Sequence, residues 1–160
     1  MKTFRHGMVA IFLLIEVIRI LEVTEVKVRP YHSDDEQQVI ELWHQCNLVV
    51  PWNDPKRDID LKLQFQPHLF LVAAKKRLIV ASVMVGYEGH RGWINYLAVL
   101  PDYQRQGIGR LMMKAAEAEL KKLGCPKVNL QVRSSNKSVI AFYEKIGFID
   151  SNVIGMGKSL

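Results

Sequence analysis

Hydrophobic and polar positions change their period several times along this chain, and each change predicts an element. Val26 and Val28 alternate with Lys27 and Arg29, a period of two that predicts a strand over Val26–Pro30. Ser33-Asp34-Asp35-Glu36 has the spacing of a capping box and predicts a helix running through Cys46. In the loop Pro51-Trp52-Asn53-Asp54-Pro55, Asp54 as N-cap and Pro55 at the first helical position predict a second helix toward Phe65. Apolar runs over residues 69–74 and 78–87, joined by the polar turn Lys75-Lys76-Arg77, predict two paired strands. Residues 89–92 then turn the chain into a strand over residues 93–100. Ile108, Leu111, Met112, Ala115 and Ala118 fall on one stripe of a helix over residues 108–123, stopped by Lys121, Lys122, Gly124 and Pro126. Val128, Leu130 and Val132 alternate as a fifth strand, residues 138–146 form a short helix, and last strands are expected around Phe148 and Ile154. This succession predicts an α+β fold, a mixed sheet flanked by helices, in one domain over residues 25–160.

The first 24 residues stand apart. Lys2 and Arg5 precede an apolar run over residues 8–15 that resembles the start of a signal peptide. Glu16 and Arg19 interrupt it, no small-x-small cleavage site follows, and it falls short of the roughly 20 apolar residues of a membrane span. It reads as an extension, either an extra amphipathic helix or residues upstream of a natural start, and both readings stay open. No membrane association is expected.

Composition narrows the function classes. With 160 residues, 49% hydrophobic and 24% charged, the chain suits one globular domain with its own core. Cys46 and Cys125 belong to no CxxC or Cys/His cluster, so neither a disulfide framework nor a metal site is expected, and a reducing cytoplasm is the expected location. The formal charge of +6 is concentrated: residues 101–150 hold nine Lys/Arg against five acids, a local balance of +4. No aromatic-interleaved basic stripe accompanies that charge, so a polyanionic small ligand is expected there and nucleic acid is not.

The charge surrounds Gln104-Arg105-Gln106-Gly107-Ile108-Gly109, set between an apolar strand and an amphipathic helix. Glycines at the mouth of a helix let backbone approach a bulky anion, and first-turn N–H groups have no intrahelical partner. Two commoner phosphate motifs are excluded. A dinucleotide fingerprint needs glycine where Met112 stands, and a P-loop needs Gly-Lys-Ser/Thr where the chain has Gly109-Arg110-Leu111. The Gln-x-x-Gly-x-Gly segment after Ala98-Val99 instead resembles motif A of the GNAT superfamily of acetyl-CoA-dependent N-acetyltransferases. A second segment, Asn129-Leu130-Gln131-Val132-Arg133-Ser134-Ser135-Asn136 followed by Ala141-Phe142-Tyr143-Glu144-Lys145-Ile146-Gly147-Phe148, resembles motif B of that superfamily, with its Phe-Tyr-x-x-x-Gly-Phe ending matched letter for letter.

The resemblance implies a GNAT acyl-CoA N-acyltransferase fold from about Val26 onward, with a mostly antiparallel sheet splayed at its central strand. It implies acetyl-CoA as co-substrate, held by the strand edge Leu97, Ala98 and Val99, by the turn Gln104, Arg105, Gln106, Gly107, Ile108, Gly109 and Arg110, and along its pantetheine arm by Asn136. Tyr143 would lie near the thioester sulfur, and a tyrosine of ordinary pKa near 10 is protonated at neutral pH and able to donate to a departing thiolate. A member of the family that acetylates a ribosomal-protein alanine has glutamate where this chain has Gln131, which cannot take a proton usefully. Glu88 and His90, just before the central strand, are the substitute candidates for the base. Trp52 and Asn53, with Tyr96 at the bulge of the central strand, are candidates for the acceptor side of the cleft. Pro-Trp-Asn-Asp-Pro together with Gly-His-Arg-Gly resembles a bacterial branch of the superfamily that does not identify the acceptor. The expected function is direct transfer of an acetyl group to the primary amine of a small molecule or a protein, without a metal. The alternative is a non-catalytic module that senses acetyl-CoA. Dimers are common in the family, and nothing in the sequence marks a dimer surface.

Overall fold

A computed structural model describes residues 25–158, so the segment before Glu25 lies outside the described residues. The chain forms β1 (Val26–Pro30), α1 (Glu36–Gln45), α2 (Pro55–Gln64), β2 (Phe70–Lys75), β3 (Leu78–Tyr87), β4 (Gly92–Val99), α3 (Ile108–Lys122), β5 (Val128–Leu130) and α4 (Lys137–Lys145). The strands make one sheet in the order β1-β2-β3-β4-β5. The first three pairings are antiparallel and β4 pairs with β5 in parallel, the change that the α3 crossover requires. No helix among the described residues is long and apolar enough to cross a membrane.

Two cores lie on opposite faces of this sheet. Ile108, Met112, Met113, Ala116 and Leu120 of α3 and Tyr143 of α4 pack with Leu71, Ala73, Val83 and Val85 on one face. Val39, Leu42 and Trp43 of α1 and Ile59 of α2 pack with Phe70, Val72, Met84 and Ala98 on the other. Helix α3 is rotated from the expected stripe: Ala118 is exposed, and Ala116 and Leu120 carry the seam with Met113. Leu111 and Ala115 sit at its margin, because the sheet meets the helix nearer the face centred on Met112 and Ala116.

The start of α1 also differs from the capping-box expectation. Residues Ser33–Asp35 form a 3-10 turn, and the Asp35 carboxylate reaches back to the His32 N–H at 2.9 Å. The same carboxylate takes both Arg29 nitrogens, at 2.6 and 2.8 Å, tying α1 to the edge strand β1. Burial alone would raise the Asp35 carboxyl, but the Arg29 guanidinium and the His32 N–H outweigh it and hold it below the ordinary aspartate range. A carboxyl depressed in the folded state contributes stability above its unfolded pKa of about 3.9 and loses it as the pH falls through the folded value. Asp35→Asn is therefore expected to cost about 1–3 kcal/mol in urea unfolding at pH 7, with the gap to wild type closing below about pH 3.9. A gap that stays constant down to acid denaturation would contradict this.

Helix α2 starts as expected, with the Asp54 side chain accepting from the Lys56 and Arg57 N–H groups and Pro55 at its first position. Its far end is fastened to β3. Lys62 Nζ donates to the Val85 carbonyl at 2.6 Å, and burial brings this amine down to about 8. Gln66 takes both the N–H and the carbonyl of Tyr87.

Beyond α4 the expected strands around Phe148 and Ile154 do not form. Gly147, at φ 101°, ends the helix, and the Phe148 N–H returns to the Tyr143 carbonyl at 3.0 Å. The Asp150 side chain then accepts from the Asn152 N–H, and Asn152 itself takes φ 52°, so the chain turns where a strand needs extension. The fifth strand is likewise shorter than expected and ends at Leu130, before Val132.

Candidate active site

The sheet splits at β4. Gly92, Trp93 and Ile94 pair with Val128, Asn129 and Leu130 of β5. From Asn95 onward no strand among the described residues occupies that edge. Two parallel strands that part in this way leave a wedge-shaped opening, bordered on one side by unpaired backbone groups of β4.

A β-bulge lies at the same place. The pairing of β3 with β4 passes from Ser82↔Ala98 to Met84↔Asn95, so two steps along β3 span three along β4. Side chains alternate between faces, and one inserted residue inverts the alternation. Ile94 accordingly packs in the α3 core while Ala98, four residues on, packs in the α1 core. Leu97 and Val99 border the α3 side. Tyr96 occupies the bulge at φ 51°, a left-handed conformation that costs a residue with a large side chain roughly 1–3 kcal/mol and that concentrates at functional sites.

The surroundings hold Tyr96 in that conformation. Its ring stacks on Trp43 with centroids 4.1 Å apart. Trp43 Nε1 donates to Ser82 Oγ at 2.9 Å, and Ser82 Oγ donates to the Tyr96 carbonyl at 3.4 Å, which satisfies a fully buried hydroxyl. The Tyr96 hydroxyl accepts from Asn53 Nδ2 at 2.8 Å and donates to Asp58 Oδ2 at 2.5 Å. Burial and the Asp58 carboxylate both raise the Tyr96 pKa, so the phenol keeps its proton at neutral pH. Trp52, next to Asn53, is 74% exposed and packs in neither core.

On the opposite face, the β4–α3 turn bends as its sequence suggests. Gly107 is the N-cap of α3 at φ 90°, and Arg105 also takes a positive φ. The first helical bond runs from the Leu111 N–H to the Gly107 carbonyl at 3.0 Å. The N–H groups of Ile108, Gly109 and Arg110 therefore have no partner within the helix, and no side chain caps them. Gln104 Nε2 donates to the Val99 carbonyl at 3.0 Å and Gln106 Nε2 to the Asp102 carbonyl at 2.8 Å, so both glutamines brace the turn. The Val99 carbonyl also accepts from the Cys46 thiol at 3.2 Å, and burial pushes that thiol up. Gly109 has a different role from Gly107. A Cβ there would lie 3.2 Å from the Phe142 ring, so its missing side chain lets α4 approach α3.

That approach places Tyr143. The side chain is 8% exposed, edge-on to Phe142 and Phe148, and its hydroxyl makes no hydrogen bond to another described residue. Burial pushes its pKa up to about 12. Asn136 caps the same helix, its side-chain oxygen accepting from the Val139 N–H. Glu88 and His90 lie in the turn that joins β3 to β4, separated from the split by the paired residues Gly92, Trp93 and Ile94. The Glu88 carboxylate caps that turn by accepting from the N–H groups of His90 and Arg91. The structure thus brings Asn53 and Tyr96 together and adds Asp58, which the sequence reading did not single out. Its one sequence signal is position: it precedes the core residue Ile59 on α2 and sits four residues after the cap.

A sheet parting at a bulged strand, followed by a glycine turn and an uncapped helix, is the arrangement the motifs implied. The model of the Acetyltransferase (GNAT) family matches residues 36–148. This chain belongs to the GNAT acetyltransferase family. An acetyltransferase of Yersinia pestis (strain Pestoides F) is 45% identical over 135 residues, spanning 84% of this GNAT chain and 96% of the relative. Among solved structures, the ribosomal-protein-S18-alanine N-acetyltransferase of Escherichia coli superposes with a TM-score of 0.67 at 24% identity, covering 79% of each chain. A chain of the NatC complex bound to Gag peptide and CoA superposes with a TM-score of 0.68 at 20% identity, covering 78% of this chain and 84% of that one. At these identities the two structures share the GNAT fold.

Proposed function

We propose that this GNAT protein is an N-acetyltransferase that moves the acetyl group of acetyl-CoA directly to a primary amine in a ternary complex. The split of β4 from β5 beside the uncapped N-terminus of α3 carries this reading. The residues present fit the nucleotide end of the co-substrate: three open N–H groups at a helix N-terminus, a turn opened by Gly107, and exposed Arg105 and Arg110 in the basic half of the chain. Leu97, Ala98 and Val99 supply a strand edge with no neighbouring strand, to which the amides of an extended arm pair where the Gln104 brace on the Val99 carbonyl leaves groups open, and Asn136, the cap of α4, is the candidate contact for that arm. The co-substrate supplies an acetyl group activated as a thioester. Backbone N–H groups at the bulge polarise its carbonyl, and the Tyr143 hydroxyl donates its proton toward the sulfur.

Calorimetric titration with acetyl-CoA, beside CoA lacking its 3′-phosphate, tests the reading. Micromolar binding of acetyl-CoA is expected, followed by CoA release with a panel of amines. A folded sample that binds neither compound would overturn it. Binding without turnover on any amine would favour the acetyl-CoA-sensing module, to which Gln131, in place of a carboxylate, lends its support.

A further inference from the structure

The bulge inverts β4 so that the two halves of the reaction face opposite sides of the sheet. Tyr143 and the glycine turn belong to the α3 and α4 side, whereas Tyr96 turns toward α1 and α2. On that second side the only carboxylate hydrogen-bonded to a β4 side chain among the described residues is Asp58. It is half-buried, and one of its oxygens is occupied by the Tyr96 hydroxyl at 2.5 Å. Its Oδ1 accepts no hydrogen bond from another described residue, so a carboxylate with accepting capacity stands at the residue that marks the opening of the sheet.

Resting on the acetyltransferase reading, we propose that Asp58 is the seat of the acceptor's ammonium group and that the acceptor is an aliphatic cationic amine. A carboxylate fixed by a neutral phenol keeps its remaining lone pairs for an N⁺–H donor, and such charge-assisted bonds are about twice as strong as neutral ones. Tyr96 holds the carboxylate, and its left-handed backbone is maintained by the Trp43 stack and the Ser82 hydrogen bond. Asn53 fixes the same hydroxyl from the loop, which leaves the neighbouring Trp52 ring exposed as a face for a cation. Acetylation of such an amine forms the C–N bond as the C–S bond breaks. One ammonium proton leaves through Asp58 to solvent before attack; of the two left on nitrogen one stays in the amide and the other passes by way of solvent to the departing sulfur, so amide, thiol and one released proton result.

The test uses 1,4-diaminobutane as the acceptor probe with wild type, Asp58→Asn and Asp58→Glu. Asn can still accept from Tyr96, so the loop is expected to stay folded, with melting temperature as the check. Wild type is expected to acetylate the diamine at saturating acetyl-CoA. Asp58→Asn is expected to raise the diamine KM at least tenfold, leave acetyl-CoA affinity within twofold, and abolish calorimetric binding of the diamine to the acetyl-CoA-free protein. Asp58→Glu is expected to recover part of the KM, which a merely structural role would not predict. An unchanged KM in Asp58→Asn, or a wild type that binds acetyl-CoA but never turns over the diamine, would overturn the inference. Failure of wild type to bind acetyl-CoA would instead bring down the acetyltransferase reading on which it rests.

Discussion

Replacing Tyr143 by Phe lowers kcat by about 10²- to 10⁴-fold, the range typical of a general acid, with acetyl-CoA affinity within a few-fold of wild type. The expectation rests on where the hydroxyl sits. Burial raises the phenol to about 12, so it holds its proton throughout the range in which an amine acceptor is used. A thiol leaving group has a pKa near 8.5, well below the phenol's, so the phenol acts by a hydrogen bond that strengthens as charge gathers on sulfur and keeps its proton as the thiolate departs. The loss is therefore expected in kcat and only weakly in KM. Stability separates this from a folding defect. The hydroxyl has no hydrogen-bond partner among the described residues, so removing it leaves no orphaned group and the melting temperature should hold or rise slightly. The wild-type and variant pH profiles should run parallel between pH 6 and 9, because a group near 12 does not titrate there. A kcat within threefold of wild type would remove Tyr143 from the mechanism.

Much of this arrangement was legible along the chain because its signals are local. The Asp54 cap with Pro55, the polar turn Lys75-Lys76-Arg77, and the strand, glycine turn and helix around Gly107 each depend on residues within a few positions of one another. The bulge was not legible in its consequences. An extra residue in β4 is defined only by its pairing with Ser82 and Met84 of β3, and the inverted facing of Tyr96 and Ala98 follows from that pairing. Asp58 was missed for a related reason. In Pro55–Gln64, with five charged residues of ten, one more carboxylate reads as a solvated face, and its partner Tyr96 is 38 positions away. The C-terminal strands expected around Phe148 and Ile154 failed because Gly147, Asp150 and Asn152 impose turns there.

The two glycines of the turn, which look alike in sequence, are expected to fail in different ways when substituted. Gly107 stands at φ 90° with open space around the position of a Cβ. Alanine there meets no neighbour but must adopt a left-handed backbone, costing about 1–2 kcal/mol or forcing the turn to relax. Relaxation moves the N–H groups of Ile108, Gly109 and Arg110, so Gly107→Ala is expected to weaken acetyl-CoA binding tenfold or more, with only a modest drop in melting temperature. Gly109 lies within a helical turn, where any residue is tolerated by the backbone, and its constraint is the Phe142 ring at 3.2 Å. Valine at 109 drives α4 away from α3 and carries Tyr143 with it. Gly109→Val is therefore expected to cost about 1–3 kcal/mol of stability by overpacking and to lower kcat as well as affinity. Trimming the ring separates steric contact from loss of an anion site. In Gly109→Val with Phe142→Ala the added methyls have room, so the double variant should be more stable than the sum of the single changes by at least 0.5 kcal/mol, the coupling expected of residues in contact. Simple additivity in urea unfolding would mean that Gly109 is required for the close approach of a ligand and not for the packing of α4.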